Sequence, residues 1–136
     1  MSGIIGGAGS KSGVIGGRLD RWKQYSITIS GTDSWSTIRG IGIPYQTADG
    51  AWRLRFNASA TVNTSSGVNF TIGGINCKNI TNFNQAISVG TNTGARGYGI
   101  VSVANSDTFY IGASLASTQY NVSGDVELEG KPSWAD

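Results

Sequence analysis

Residues 51–62, AWRLRFNASATV, place Trp52, Leu54, Phe56, Ala58, Ala60 and Val62 at every second position, with Arg53, Arg55, Asn57, Ser59 and Thr61 between them. Side chains alternate across a strand with a period of 2, whereas a helix gathers its apolar residues about every 3.6 positions. Unbroken alternation therefore predicts a long strand with one face in a core and the other toward water or a partner. At roughly 3.3 Å per residue it would run about 40 Å, longer than a usual strand. A bend or bulge is expected near Asn57–Ala60, where the core residues shrink to alanine.

The rest of the chain reads as strands and turns. Tyr25, Ile27 and Ile29 alternate with Ser26, Thr28 and Ser30, and Gly31-Thr32-Asp33 ends that run. Trp35–Ile43 is a second extended segment. Gly40 and Gly42 mark a bulge or a close backbone contact within it, and Pro44 ends it or places it at a sheet edge. Asp49-Gly50 is hairpin chemistry leading into the long strand. Val68, Phe70 and Ile72 alternate beyond the next loop and read as the long strand's other hairpin partner. Residues 75–89 hold one or two short strands, or a helical turn near Asn82–Ala86, and strands follow over Tyr98–Val103, Thr108–Leu115 and Gln119–Leu128. About eight to ten strands with frequent turns and no convincing helix predict an all-β fold, a jelly-roll-like antiparallel β-sandwich over residues 24–136.

Residues 1–23 form a different zone, read as an extended Gly-rich anchoring arm and its junction. SGIIGG at residues 2–7 recurs as SGVIGG at 12–17. Glycine makes such a segment costly to order, yet the apolar pairs Ile4-Ile5 and Val14-Ile15 have no purpose in a flexible linker. We read the pairs as docking into grooves on another chain, with Arg18 and Arg21 in the junction. A disordered leader is the alternative. Gly9, Ser10, Lys11 and Ser12 superficially suggest a phosphate loop, but Ser10 stands where that loop needs glycine and neither flanking element is present.

Composition narrows the function classes. Charged residues make up 13% of the 136, against about 25% in ordinary domains, and 21 glycines with many Ser, Thr and Asn take their place. Copies of the chain, or a larger assembly, are expected to cover part of the surface; a monomer coated in Ser, Thr and Asn is the alternative. A net charge of +2, spread along the chain, offers no track for nucleic acid. With no histidine and a single cysteine, Cys77, zinc sites, histidine-based catalysis and an internal disulfide are excluded, and no cofactor is expected. Nothing reads as a secretory signal or as the roughly 20 apolar residues of a membrane span, so synthesis in a cytoplasm is expected. The five Asn-x-Ser/Thr sequons, at Asn57, Asn63, Asn69, Asn79 and Asn121, follow from composition and should stay unglycosylated.

Two groups remain as candidate chemistry. Asp125, Glu127 and Glu129 share one strand face, where a solvated surface or pairing with Arg53 and Arg55 is expected over catalysis or cation binding. No catalytic or metal-binding residue is assigned. The aromatics Trp35, Tyr45, Tyr98, Tyr110 and Trp134 lie near turns or strand ends. They read first as core or subunit contacts, and Trp35, Tyr45, Tyr98 and Trp134 are the candidates for contact with a glycan.

The N-terminal MSGIIGGAGSKSGVIG and the C-terminal YNVSGDVELEGKPSWAD resemble the ends of short virion proteins of tailed bacteriophages, in which a glycine-rich leader precedes differing β-domains. The middle, with WRLRFNASATV, resembles the complement and tumour-necrosis-factor type of jelly roll, without that family's aromatic signature. The resemblance implies a non-enzymatic virion protein, a homotrimer that decorates or cements a capsid or forms a head fibre. It also implies docking on the major capsid protein or another virion protein through Ile4, Ile5, Val14, Ile15, Arg18 and Arg21. The alternative is a tail-fibre or spike tip that recognises host surface glycan.

Overall fold

The computed structural model describes residues 23–32, 35–62, 68–78, 85–101, 106–111 and 119–136. The arm residues Ile4, Ile5, Val14, Ile15, Arg18 and Arg21, and the phosphate-loop-like Gly9–Ser12, lie outside them, as does most of the Asn82–Ala86 segment. The described residues form nine strands: β1 (Tyr25–Ser26), β2 (Ile29–Gly31), β3 (Ser36–Gln46), β4 (Trp52–Thr61), β5 (Val68–Ile72), β6 (Ala86–Thr91), β7 (Arg96–Val101), β8 (Thr108–Ile111) and β9 (Gln119–Leu128). All pair antiparallel in one sheet of order β1-β3-β4-β9-β6-β7-β8-β5-β2. The fold is all-β and jelly-roll-like.

The two ends of that order, β1 and β2, are joined in the chain by Ile27 and Thr28 alone. The sheet must therefore curl until its edges meet. Ile27 N donates to Gly40 O on one edge, and Thr28 O accepts from Gly73 N beside the other, each at 3.0 Å. Glycine permits the approach: a Cβ on Gly40 would lie 2.9 Å from Ile27 O, and one on Gly42 3.0 Å from Ile27 Cγ2. Gly40 and Gly42 are thus close contacts rather than a bulge.

The alternating residues of β4 and Val62 line the interior as expected: Leu54, Phe56, Ala58, Ala60 and Val62 are buried. The bulge expected within Asn57–Ala60 sits instead in the neighbouring strand, between Thr37 and Arg39, while β4 keeps unbroken register with β9. Pro44 does not end β3. It pairs with Leu54 beyond the reach of β1, which covers only Ile41 and Gly42, so the ring sits where the strand needs no further donor.

One pairing differs from the sequence reading. Val68–Ile72 does not pair with β4; it lies between β2 and β8. β9 takes the place beside β4, matching all ten of its residues from Trp52 to Thr61, whereas β5 has five residues to offer. With β9 returning beside the β6-β7-β8 meander, these four strands make a Greek key.

The core centres on stacked rings. Phe70 and Phe109, cross-strand partners, stack at 5.0 Å, Trp35 covers the other side of Phe70 at 5.1 Å, and Phe56 meets Phe109 at 5.5 Å. Cys77 is buried, bridged by backbone to Leu128, and desolvation followed by the charge of Asp107 pushes its thiol up to about 12 from 9.0. Two results are expected. A thiol reagent such as dithionitrobenzoate at pH 8 should label the unfolded chain and leave the native one unlabelled. Because the folded state holds the thiol proton more tightly, its stabilisation is complete below about pH 9 and is lost as pH rises toward 12. Melting temperature should fall over that window, and Cys77→Ala should flatten the fall.

Candidate functional site

The outward residues of the curled sheet divide into two territories. On β3, β4 and β9 they carry charge. Register sets Asp125 opposite Arg55 and Glu127 opposite Arg53. Arg53 Nε donates to Asp125 Oδ1 at 2.9 Å, Arg55 Nη2 lies 3.6 Å from Asp125 Oδ2, and Lys78 Nζ lies 3.0 Å from Glu127 Oε2. Tyr45 completes the cluster, donating its hydroxyl to Asp125 Oδ2 at 2.6 Å. Partial burial, then the Asp125 carboxylate, raise the phenol above its ordinary range. Asp125 and Glu127 thus pair with Arg53 and Arg55, as the spacing implied, while Glu129 lies beyond the end of β9. Among the described residues, no three Cys, Asp or Glu side chains are placed to hold a metal ion.

Asp125 is the hub, half-buried like Arg53. Asp125→Ala should cost about 1–3 kcal/mol, since hydrogen bonds to charged groups are worth roughly that and Arg53 would be left without its main acceptor. Urea unfolding measures the loss, and Asp125→Asn should recover part of it.

On β6, β7, β8 and β5 the outward positions are almost uncharged. Ser88 pairs with Tyr98, Ala86 with Ile100, Ile100 with Tyr110, and Tyr110 with Asn69. Tyr98 is 69% exposed and Tyr110 44%, unusual for large rings in the middle of a sheet face. Arg96 stands at the rim of this face.

A third feature is an open cleft of about 180 Å³ at one mouth of the curled sheet, lined by Tyr25, Pro44, Tyr45, Gln46, Trp52, Ala135 and Asp136. Its wall is held by the last residues of the chain. Trp134 Nε1 donates to Gly73 O at 2.8 Å, Ser133 N to Gly74 O at 2.9 Å, and Asp136 N to the Tyr25 hydroxyl at 3.1 Å. Lys23 pairs with the Asp136 carboxylate and holds it below the usual range.

The four aromatics singled out in the sequence therefore separate. Trp35 starts the segment leading into β3 and stacks on the core, donating its indole N–H to Thr37 Oγ1 at 2.9 Å. Tyr45 lies about ten residues further on, roughly 30 Å along the strand, at the cleft. Trp134 packs against Tyr25 at 5.4 Å, behind the cleft, and Tyr98 stands on the uncharged face. Tyr25, Gln46, Trp52 and Asp136 were not singled out as contacts. Tyr25 and Trp52 sit on the core side of their strands, but at the strand ends, so they line the mouth instead of the interior. Position within a strand was the available signal.

Comparisons with protein-family models, with curated proteins and with solved structures found no match to this chain.

Proposed function

We propose that this chain is a non-enzymatic structural protein of a tailed-bacteriophage virion, a trimeric decoration, cement or head-fibre protein docked through residues 1–23. The uncharged face bearing Tyr98, Ile100 and Tyr110 carries the reading. Protein interfaces are depleted of charge at their centre and enriched in tyrosine, and an exposed apolar patch of this kind marks a contact surface. The resemblance of both chain ends to virion proteins supports the particle, and the low total charge agrees with a chain whose surface is shared. Three arms docking together would multiply weak apolar contacts by effective concentration.

Sedimentation of the full chain should give a trimer, and Tyr98→Glu with Tyr110→Glu should give a monomer of unchanged fold. A monomeric wild type removes the trimer. Cryo-electron microscopy of virions then tests the location. Density over the capsid lattice supports decoration, and normal incorporation of a chain lacking residues 1–17 would refute docking by the arm.

A second reading, a receptor-binding tip that recognises host glycan, is favoured by the aromatic cleft. Density at the distal end of a tail appendage would support it and remove the decoration role.

A further inference from the structure

We propose that the cleft between the β3–β4 hairpin end, Tyr25 and the C-terminal segment binds one uncharged sugar ring of a surface glycan. This rests on the receptor-binding reading and supplies its site. A pyranose presents an apolar C–H face and a rim of hydroxyls. The cleft offers matching parts: ring surface from Tyr25 and Trp52 beside Pro44, and polar groups from Gln46 and Asp136. Binding sites combine mostly apolar walls with a few fixed polar groups in this way.

Both polar groups have partners before any ligand arrives. Gln46 Nε2 donates to Gly50 O at 2.9 Å, fixing the amide, and Lys23 holds the Asp136 carboxylate charged, ready to accept from a hydroxyl. At about 180 Å³ the space is below the roughly 300–1,000 Å³ of drug-sized sites, so it suits a single ring whose neighbours in the glycan lie outside.

The charges around it select against ionic ligands. Lys23 Nζ lies 5.1 Å from the Tyr25 ring centre and pairs with the Asp136 carboxylate, so a quaternary ammonium would have to displace a cation already in place. An acidic sugar would have to displace the Asp136 carboxylate from Lys23. A neutral ring meets neither obstacle.

The test is an amide and indole NMR titration of the full chain with methyl β-D-galactoside, methyl α-D-glucoside and N-acetyl-D-glucosamine, with choline and glucuronate as charged probes. At least one neutral sugar should shift the Trp52 indole signal together with the Gln46 and Ala135 amides. Tyr25→Ala, or Tyr25→Leu if the alanine variant loses its dispersed spectrum, should weaken that sugar about tenfold. Shifts caused by choline or glucuronate alone would overturn the proposal. Sugar shifts confined to Tyr98 and Tyr110 would overturn the cleft and leave glycan recognition standing. Silence from every sugar would also overturn the cleft. Receptor binding falls with it only if the chain in addition fails to bind host cells in a glycan-dependent way.

Discussion

Phe70→Ala should destabilise the protein by about 3–5 kcal/mol, the usual cost of deleting a fully buried phenylalanine ring. Phe70 has no exposed surface, and it stacks between Trp35 and Phe109 while touching Phe56 edge-on at 6.5 Å. Its strand also lies between β2 and β8, where β2 belongs to the segment that closes the curled sheet. The neighbours are rings fixed by strand register, so the cavity has little freedom to collapse. Against a typical total of about 5–15 kcal/mol, much of the stability goes. Urea unfolding followed by tryptophan fluorescence measures it, with Phe70→Leu expected to lose markedly less. A loss below 1 kcal/mol from the alanine variant would mean that the ring stack is not the centre of the core.

Gly74→Ala should cost about 2–3 kcal/mol, from two sources that a second glycine separates. Gly74 has φ +76, where a side chain is strained by roughly 1–3 kcal/mol. A Cβ there would also lie 2.6 Å from Trp134 Cδ1 and 2.5 Å from Ser133 Oγ, so the C-terminal segment must move. Gly94 has φ +92 but nothing within 4 Å of a Cβ, and Gly94→Ala should show the backbone strain alone, about 1 kcal/mol. The excess at Gly74 measures how firmly Trp134 is seated. The Trp134 indole NMR signal should shift in the Gly74 variant and stay in place in the Gly94 one. Equal costs at the two glycines would show that the segment moves aside freely.

Much of this protein is determined by its sequence alone, for local reasons. The alternation in AWRLRFNASATV is enough to name the buried residues of β4, because a strand can send only every second side chain inward. Asp49-Gly50 specifies the β3–β4 hairpin, and Gly50 takes φ +93. The i, i+2 spacing of Asp125 and Glu127 likewise puts both acids on one face, facing outward when Val126 faces in. What only the tertiary structure decided is which strands meet. Val68–Ile72 follows β4 in the chain and reads as its partner, yet β9 takes that place, since ten residues of matched register outweigh a short connection. That Tyr25, Trp52 and Asp136 converge into a cleft was not legible for the same reason. They stand far apart along the chain, and their convergence depends on a sheet that curls until Ile27 and Thr28 can join its two edges.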